Sequence, residues 1–94
     1  MKWLEVISLR GSGNLRELLD PEVKGFLDRI DGSKGLREVR LYFHNSIHND
    51  LAVHLLWETD SVDPQGTPIG QRLVQILKSF GLTNHNLWKE EERK

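Results

Sequence analysis

Four histidines, three tryptophans and no cysteine set the range of chemistry open to this chain. His44 and His54 share a face parity across two neighbouring strand-like runs, with His48 in the loop between them, and imidazoles grouped in this way are the raw material of a metal site. No carboxylate or third histidine is locked beside them at a ligand spacing, so they read as structural or surface histidines and no metal is expected. Tyr42 has the parity of His44, and with His54 the three lay titratable groups on one side of a sheet. Trp57 stands at the end of the third apolar run, and a tryptophan in that position is first of all a core residue. Lack of cysteine removes disulfides, thiolate metal sites, iron–sulfur clusters and cysteine nucleophiles together. No cofactor is implied, and the catalytic residues, if the chain has any, are unknown at this level.

A glycine-rich turn offers a second kind of chemistry. Gly11-Ser12-Gly13-Asn14 precedes a helical pattern, and glycines before a helix N-terminus can cradle an anion. With Arg10 or Arg16, and Asn45 after the second strand, the turn is similar in outline to the phosphate loop of acylphosphatases. The valine, glutamine and phenylalanine-arginine that surround the glycines in that family are absent here, so the turn reads as a plain connection. An acylphosphatase-like hydrolase ranks behind the two functions set out below.

The elements that must position these residues follow from periodicity. Trp3 to Arg10 is apolar on both parities, as in a strand covered on both sides. Leu15, Leu18, Leu19, Val23, Phe26, Leu27 and Ile30 recur at helical spacing. Asp20-Pro21 interrupts that stripe as N-cap and first helical position of a restarted helix, and Asp31-Gly32 ends it. Glu38 to His44 alternates, with Val39, Leu41 and Phe43 against Arg40, Tyr42 and His44, as an edge strand does. Leu51 to Trp57 is apolar on both parities except for His54 and pairs with the preceding strand through a long loop. Thr67-Pro68 caps and opens a second helix with the stripe Ile69, Leu73, Ile76, Leu77 and Phe80. Gly81 is placed as a left-handed helix stop, with Leu77 and Leu82 spaced for a Schellman contact. His85 to Glu90 supplies the last strand.

The order strand, helix, strand, strand, helix, strand predicts an α+β, ferredoxin-like βαββαβ sandwich over residues 1–94, one domain with sheet order 4-1-3-2 and both helices on one face. The two doubly apolar runs are the first and third, which that order places in the centre. The face without helices is then expected to expose Trp3, Ile7, Leu9, Leu56 and either Leu87 or Trp88, an apolar patch larger than a monomer tolerates. A homodimer through this face is the expected remedy. The 13 basic and 14 acidic residues leave a net charge of −1, so neither nucleic acid nor an anionic membrane is an expected partner. RNA-recognition motifs share the element order, but Leu51 to Trp57 lacks the base-stacking aromatics they present. Met1-Lys2-Trp3-Leu4-Glu5 has no signal-peptide core and no apolar run reaches membrane length, so the expected location is the cytoplasm.

The third strand closing on Leu56-Trp57-Glu58-Thr59-Asp60, followed by an acidic loop and a helix in a cysteine-free chain of this size, resembles the dimeric α+β barrel superfamily, in particular its antibiotic-biosynthesis-monooxygenase-like group. The resemblance implies two ferredoxin-like units packed sheet to sheet, with a pocket in each subunit between sheet and helices. The haem-degrading branch uses an asparagine on the first strand, a tryptophan after the third and a histidine on the second helix; only Trp57 has a counterpart here, so that activity is not expected. Two functions remain. One is a small homodimeric module binding a small apolar or aromatic molecule or another partner. The other is a cofactor-independent monooxygenase acting on an aromatic or quinol substrate, with Trp57, His54 or Tyr42 orienting it. Trp57, His54, Tyr42, His44, Trp3 and Trp88 are therefore the pocket or interface candidates. An enclosed apolar cavity would favour the oxygenase, and a filled interior the binding module.

Overall fold

The computed structural model describes residues 1–11, 21–47 and 49–91. Their elements run β1 (Lys2–Gly11), α1 (Glu22–Ile30), β2 (Leu36–Phe43), β3 (Asp50–Glu58), α2 (Pro68–Leu77) and β4 (Gly81–Lys89). The strands form one antiparallel sheet in the order β2-β3-β1-β4, which is 4-1-3-2 read from the other edge. The two doubly apolar strands are indeed the central ones. Leu15, Leu18 and Leu19, the Asn14 cap, the Ser12–Asn14 part of the glycine turn, Arg16 and His48 lie outside the described residues.

One face of the sheet carries the core. Trp3, Ile7 and Leu9 of β1 and Leu51, Val53, Leu55 and Trp57 of β3 are buried in one cluster with Val23, Phe26, Leu27 and Ile30 of α1 and Leu73 and Leu77 of α2. The faces are thus opposite to the expectation for β1: Trp3, Ile7 and Leu9 meet the helices, and Leu4, Val6 and Ser8 lie on the open face. Period-2 alternation cannot orient a strand whose two faces are both apolar, because either choice buries similar area. For β4 the open-face residue is Trp88, paired with Leu4, while Leu87 points inward opposite Glu5.

Thr67 and Pro68 behave as the sequence predicts. The Thr67 hydroxyl accepts from Gly70 N at 2.9 Å and Pro68 opens α2, so an orphan amide of the first turn is satisfied. At α1 the N-cap falls at Pro21, one residue later than the expected Asp20, with no side-chain cap. The larger correction concerns Gly81. It is the first residue of β4 and not a helix stop: α2 ends at Leu77 and the strand begins four residues before His85. A glycine is required there by close approach, since a Cβ would overlap the Arg10 carbonyl and lie 2.7 Å from the Gly11 Cα of β1. The same residue type that ends helices also permits two backbones to touch.

Among the described residues, no helix is long and apolar enough to cross a membrane.

Candidate functional site

Among the described residues, Glu5 is the one charged side chain that is buried, with 0% of its surface exposed. Its place is fixed by β1, whose alternation turns it to the helix face with Trp3 and Ile7. A lone buried carboxylate would cost several kcal/mol, so its partners decide whether it can stay. Three donors and an imidazole nitrogen converge on it. Trp57 Nε1 of β3 donates to Oε1 at 3.0 Å and the Thr67 hydroxyl to the same oxygen at 2.7 Å. Thr67 N donates to Oε2 at 3.0 Å, and His85 Nε2 of β4 lies 2.6 Å from Oε2. Three strands and the start of α2 are therefore tied to one carboxylate. The positive end of the helix dipole adds to its stabilisation. Room for it comes from Gly70, because a Cβ there would overlap the carboxylate.

Beside this knot lies a cleft of about 490 Å³ at the end of the sheet, open to the outside. Its apolar wall is Trp3, Trp57, Pro68 and Ile69, and its polar rim includes Thr59, Asp60 and Thr67. The indoles of Trp3 and Trp57 stack with centroids 6.0 Å apart and planes 22° from parallel. Both indole N–H groups are used internally, Trp57 by Glu5 and Trp3 by Thr59 Oγ1 at 2.8 Å. The two indoles are 1% and 4% exposed, so the cleft meets only their edges, and what it offers a ligand is chiefly Pro68 and Ile69 with the carboxylates of Asp60 and Asp63. Glu5 and His85 do not line the cleft; Trp57 and Thr67, which bind Glu5, do. Ile7, Leu55, Leu73 and Leu77 are fully buried in the core on the same face as the knot.

The candidates from sequence separate into three places. Trp3 and Trp57 come together at the cleft, so Trp3 belongs to the core side and not to the open face. Tyr42 and His54 meet on the open face, ring centroids 4.7 Å apart, and Trp88 lies on that face, 61% exposed. His44 is not beside His54. It follows β2, its backbone pairs with Asp50, and its Nδ1 accepts from Ser46 N and Ile47 N at 3.0 Å each, closing a turn. Tyr42 and His44 do share the wall of a second recess of about 500 Å³ at the opposite end of the sheet, with Arg10, which lies 3.8 Å from Asp50. Among the described residues, no group of three His, Asp or Glu side chains could hold a metal ion.

Sequence reasoning missed Glu5, His85 and the second role of Thr67. The one available signal was a glutamate at a position whose strand neighbours were apolar on both sides. His85 is 80 residues away from it in the chain, and no local spacing reveals such a pair.

No family model matches the sequence, and no curated protein matches it. Solved structures do match in three dimensions. The structure of Rv0793 from Mycobacterium tuberculosis superposes with a TM-score of 0.73 at 10% identity, covering 99% of this chain and 98% of that one. SnoaB, a cofactor-independent oxygenase from Streptomyces nogalater solved as an asparagine-to-alanine variant, superposes with a TM-score of 0.72 at 12% identity over 98% of this chain and 95% of its own. A further antibiotic biosynthesis monooxygenase gives 0.71 at 9% identity over 96% and 99%. Across nearly its whole length, this chain has the ferredoxin-like fold of the antibiotic-biosynthesis-monooxygenase-like proteins.

Proposed function

We propose that residues 1–94 act as one ferredoxin-like domain that pairs with a second copy through the open sheet face, and that each copy binds a small flat aromatic or quinol-like molecule at the Trp3–Trp57 cleft. The observation that carries the reading is the cleft itself, about 490 Å³ with stacked indoles on its wall, within the size range of small-molecule sites. The dimer is supported by the open face. Tyr42, Leu82 and Trp88 are 44%, 77% and 61% exposed there, and four strands of this length span roughly 600 Å² of sheet. That approaches the roughly 800 Å² per partner of a standard interface.

Titration with a naphthohydroquinone, followed by quenching of tryptophan fluorescence, tests the ligand reading. Saturable quenching below about 1 mM is expected, a free energy near 4 kcal/mol, and Ile69→Trp, which fills the cleft, should abolish it. Quenching that never saturates, or that survives Ile69→Trp, rules the cleft out.

A cofactor-independent oxygenase is the second reading, favoured by one observation: the 2.6 Å approach of His85 Nε2 to Glu5, a pair able to accept a proton from an acidic hydroxyl. SnoaB shares the fold and is such an oxygenase. Against it stands the placement of Trp57 and Thr67 between the pair and the cleft. Dioxygen uptake with the same quinol, lost in His85→Gln, would promote this reading over simple binding.

A further inference from the structure

We propose that His54 makes the pairing of two copies acid-sensitive, so that the dimer forms at neutral pH and comes apart as His54 takes up a proton. The inference rests on the sheet-to-sheet dimer proposed above. His54 lies on central strand β3 in register with Val6 of β1 and Arg40 of β2. Its ring packs on Tyr42 at 4.7 Å, and it is neither buried nor exposed in the single chain. The charged and titratable groups that face it come from β2 alone: Glu38, Arg40 and Tyr42. From β1 it meets Leu4, Val6 and Ser8, and along its own strand Ala52 and Leu56; further across, β4 presents Asn84, Asn86 and Trp88. At the two ends of the face sit Arg10 near Asp50, and Lys2 in register with Glu58, whose carboxylate is bonded by Arg37.

This arrangement tolerates a neutral imidazole and resists a charged one. Glu38, the carboxylate that the register sets diagonally beside His54, is already engaged by Arg40. A proton on His54 would therefore add a second positive charge beside Arg40, with Glu38 already committed to the first. In the single chain, water screens that charge. Between two sheets, apolar residues replace the water, and the partner's two-fold symmetry doubles both the histidine and the arginine. The dimer therefore binds fewer protons than two separate copies. By linkage, association is favoured above the range in which histidines titrate and weakens as pH falls through it.

Sedimentation equilibrium of the full chain at about pH 7.5 and about pH 5.5 tests this, with His54→Gln and Arg40→Gln run alongside and circular dichroism confirming that each variant is folded. The wild-type dimer should dissociate at least about tenfold more readily at the lower pH, His54→Gln should show no such change, and Arg40→Gln should show a smaller one. A dimer equally tight at both pH values, or a pH response that survives in His54→Gln, overturns the role of His54 and leaves the dimer standing. A monomer at both pH values overturns the dimer, and this inference with it.

Discussion

Glu5 has no surface in contact with water, yet from Trp3 to Leu9 its strand is made otherwise of apolar and small residues. Its four hydrogen-bond partners explain how it stays. Glu5→Gln preserves the shape but sets an amide N–H₂ against donors that need an acceptor. The cost should be about 2–4 kcal/mol, read as a lower denaturant midpoint with an unchanged slope. Gly70→Ala sets two effects of known size against each other. Alanine favours a helix over glycine by about 1 kcal/mol, but here its Cβ would take the space of the Glu5 carboxylate. The displaced network is worth more than the propensity gain, so Gly70→Ala should lose about 2 kcal/mol or more. If Gly70→Ala were instead stabilised, Glu5 could not occupy this position. None of this could be read from the sequence, where Glu5 is one acid in an apolar run and His85 and Thr67 are remote from it. Burial of a charge is decided by partners, and partners 62 and 80 residues away leave no local trace.

At the scale of elements, legibility followed the strength of local chemistry. Thr67-Pro68 announced α2 because capping and the proline ring act within four residues. The element order gave the sheet order, because crossover handedness leaves few alternatives. Gly81 misled, since helix termination and close backbone contact call for the same residue, and only the position of Arg10 and Gly11 distinguishes them. Trp3, Ile7 and Leu9 were placed on the wrong face because nothing local orients a strand with two apolar faces. The cap of α2 carries a prediction of its own. Thr67 both accepts from Gly70 N and donates to Glu5. Thr67→Ala removes a cap worth about 1 kcal/mol and leaves a buried carboxylate one donor short, a further 1–3 kcal/mol or so. Thr67→Ser keeps both bonds and should lose well under 1 kcal/mol, about a methyl group's worth of burial. Equal losses in the two variants would mean that the threonine acts through packing and not through its hydroxyl.

For the whole molecule, the unresolved imbalance is that both described helices cover one side of the sheet. The helix side carries the buried core, whereas the other shows Leu4, Val6, Leu56, Leu82 and Trp88 among polar neighbours. Within one chain Trp88 is anchored by little, being 61% exposed on edge strand β4, so a change there should leave the fold intact. Within a pair of copies it would be covered, and aromatic residues are the type that dominates interface energetics. Trp88→Glu separates the two roles. Its thermal unfolding measured at low concentration, where both proteins are monomeric, should match the parent within about 0.5 kcal/mol, as for any exposed position. Its self-association should weaken by at least about 100-fold, because a carboxylate would replace an indole in an apolar contact, a penalty of about 3 kcal/mol or more. His54→Gln, by contrast, should keep the neutral-pH dimer. A Trp88→Glu chain that pairs as tightly as the parent would place the contact elsewhere and leave the open face in need of a different occupant.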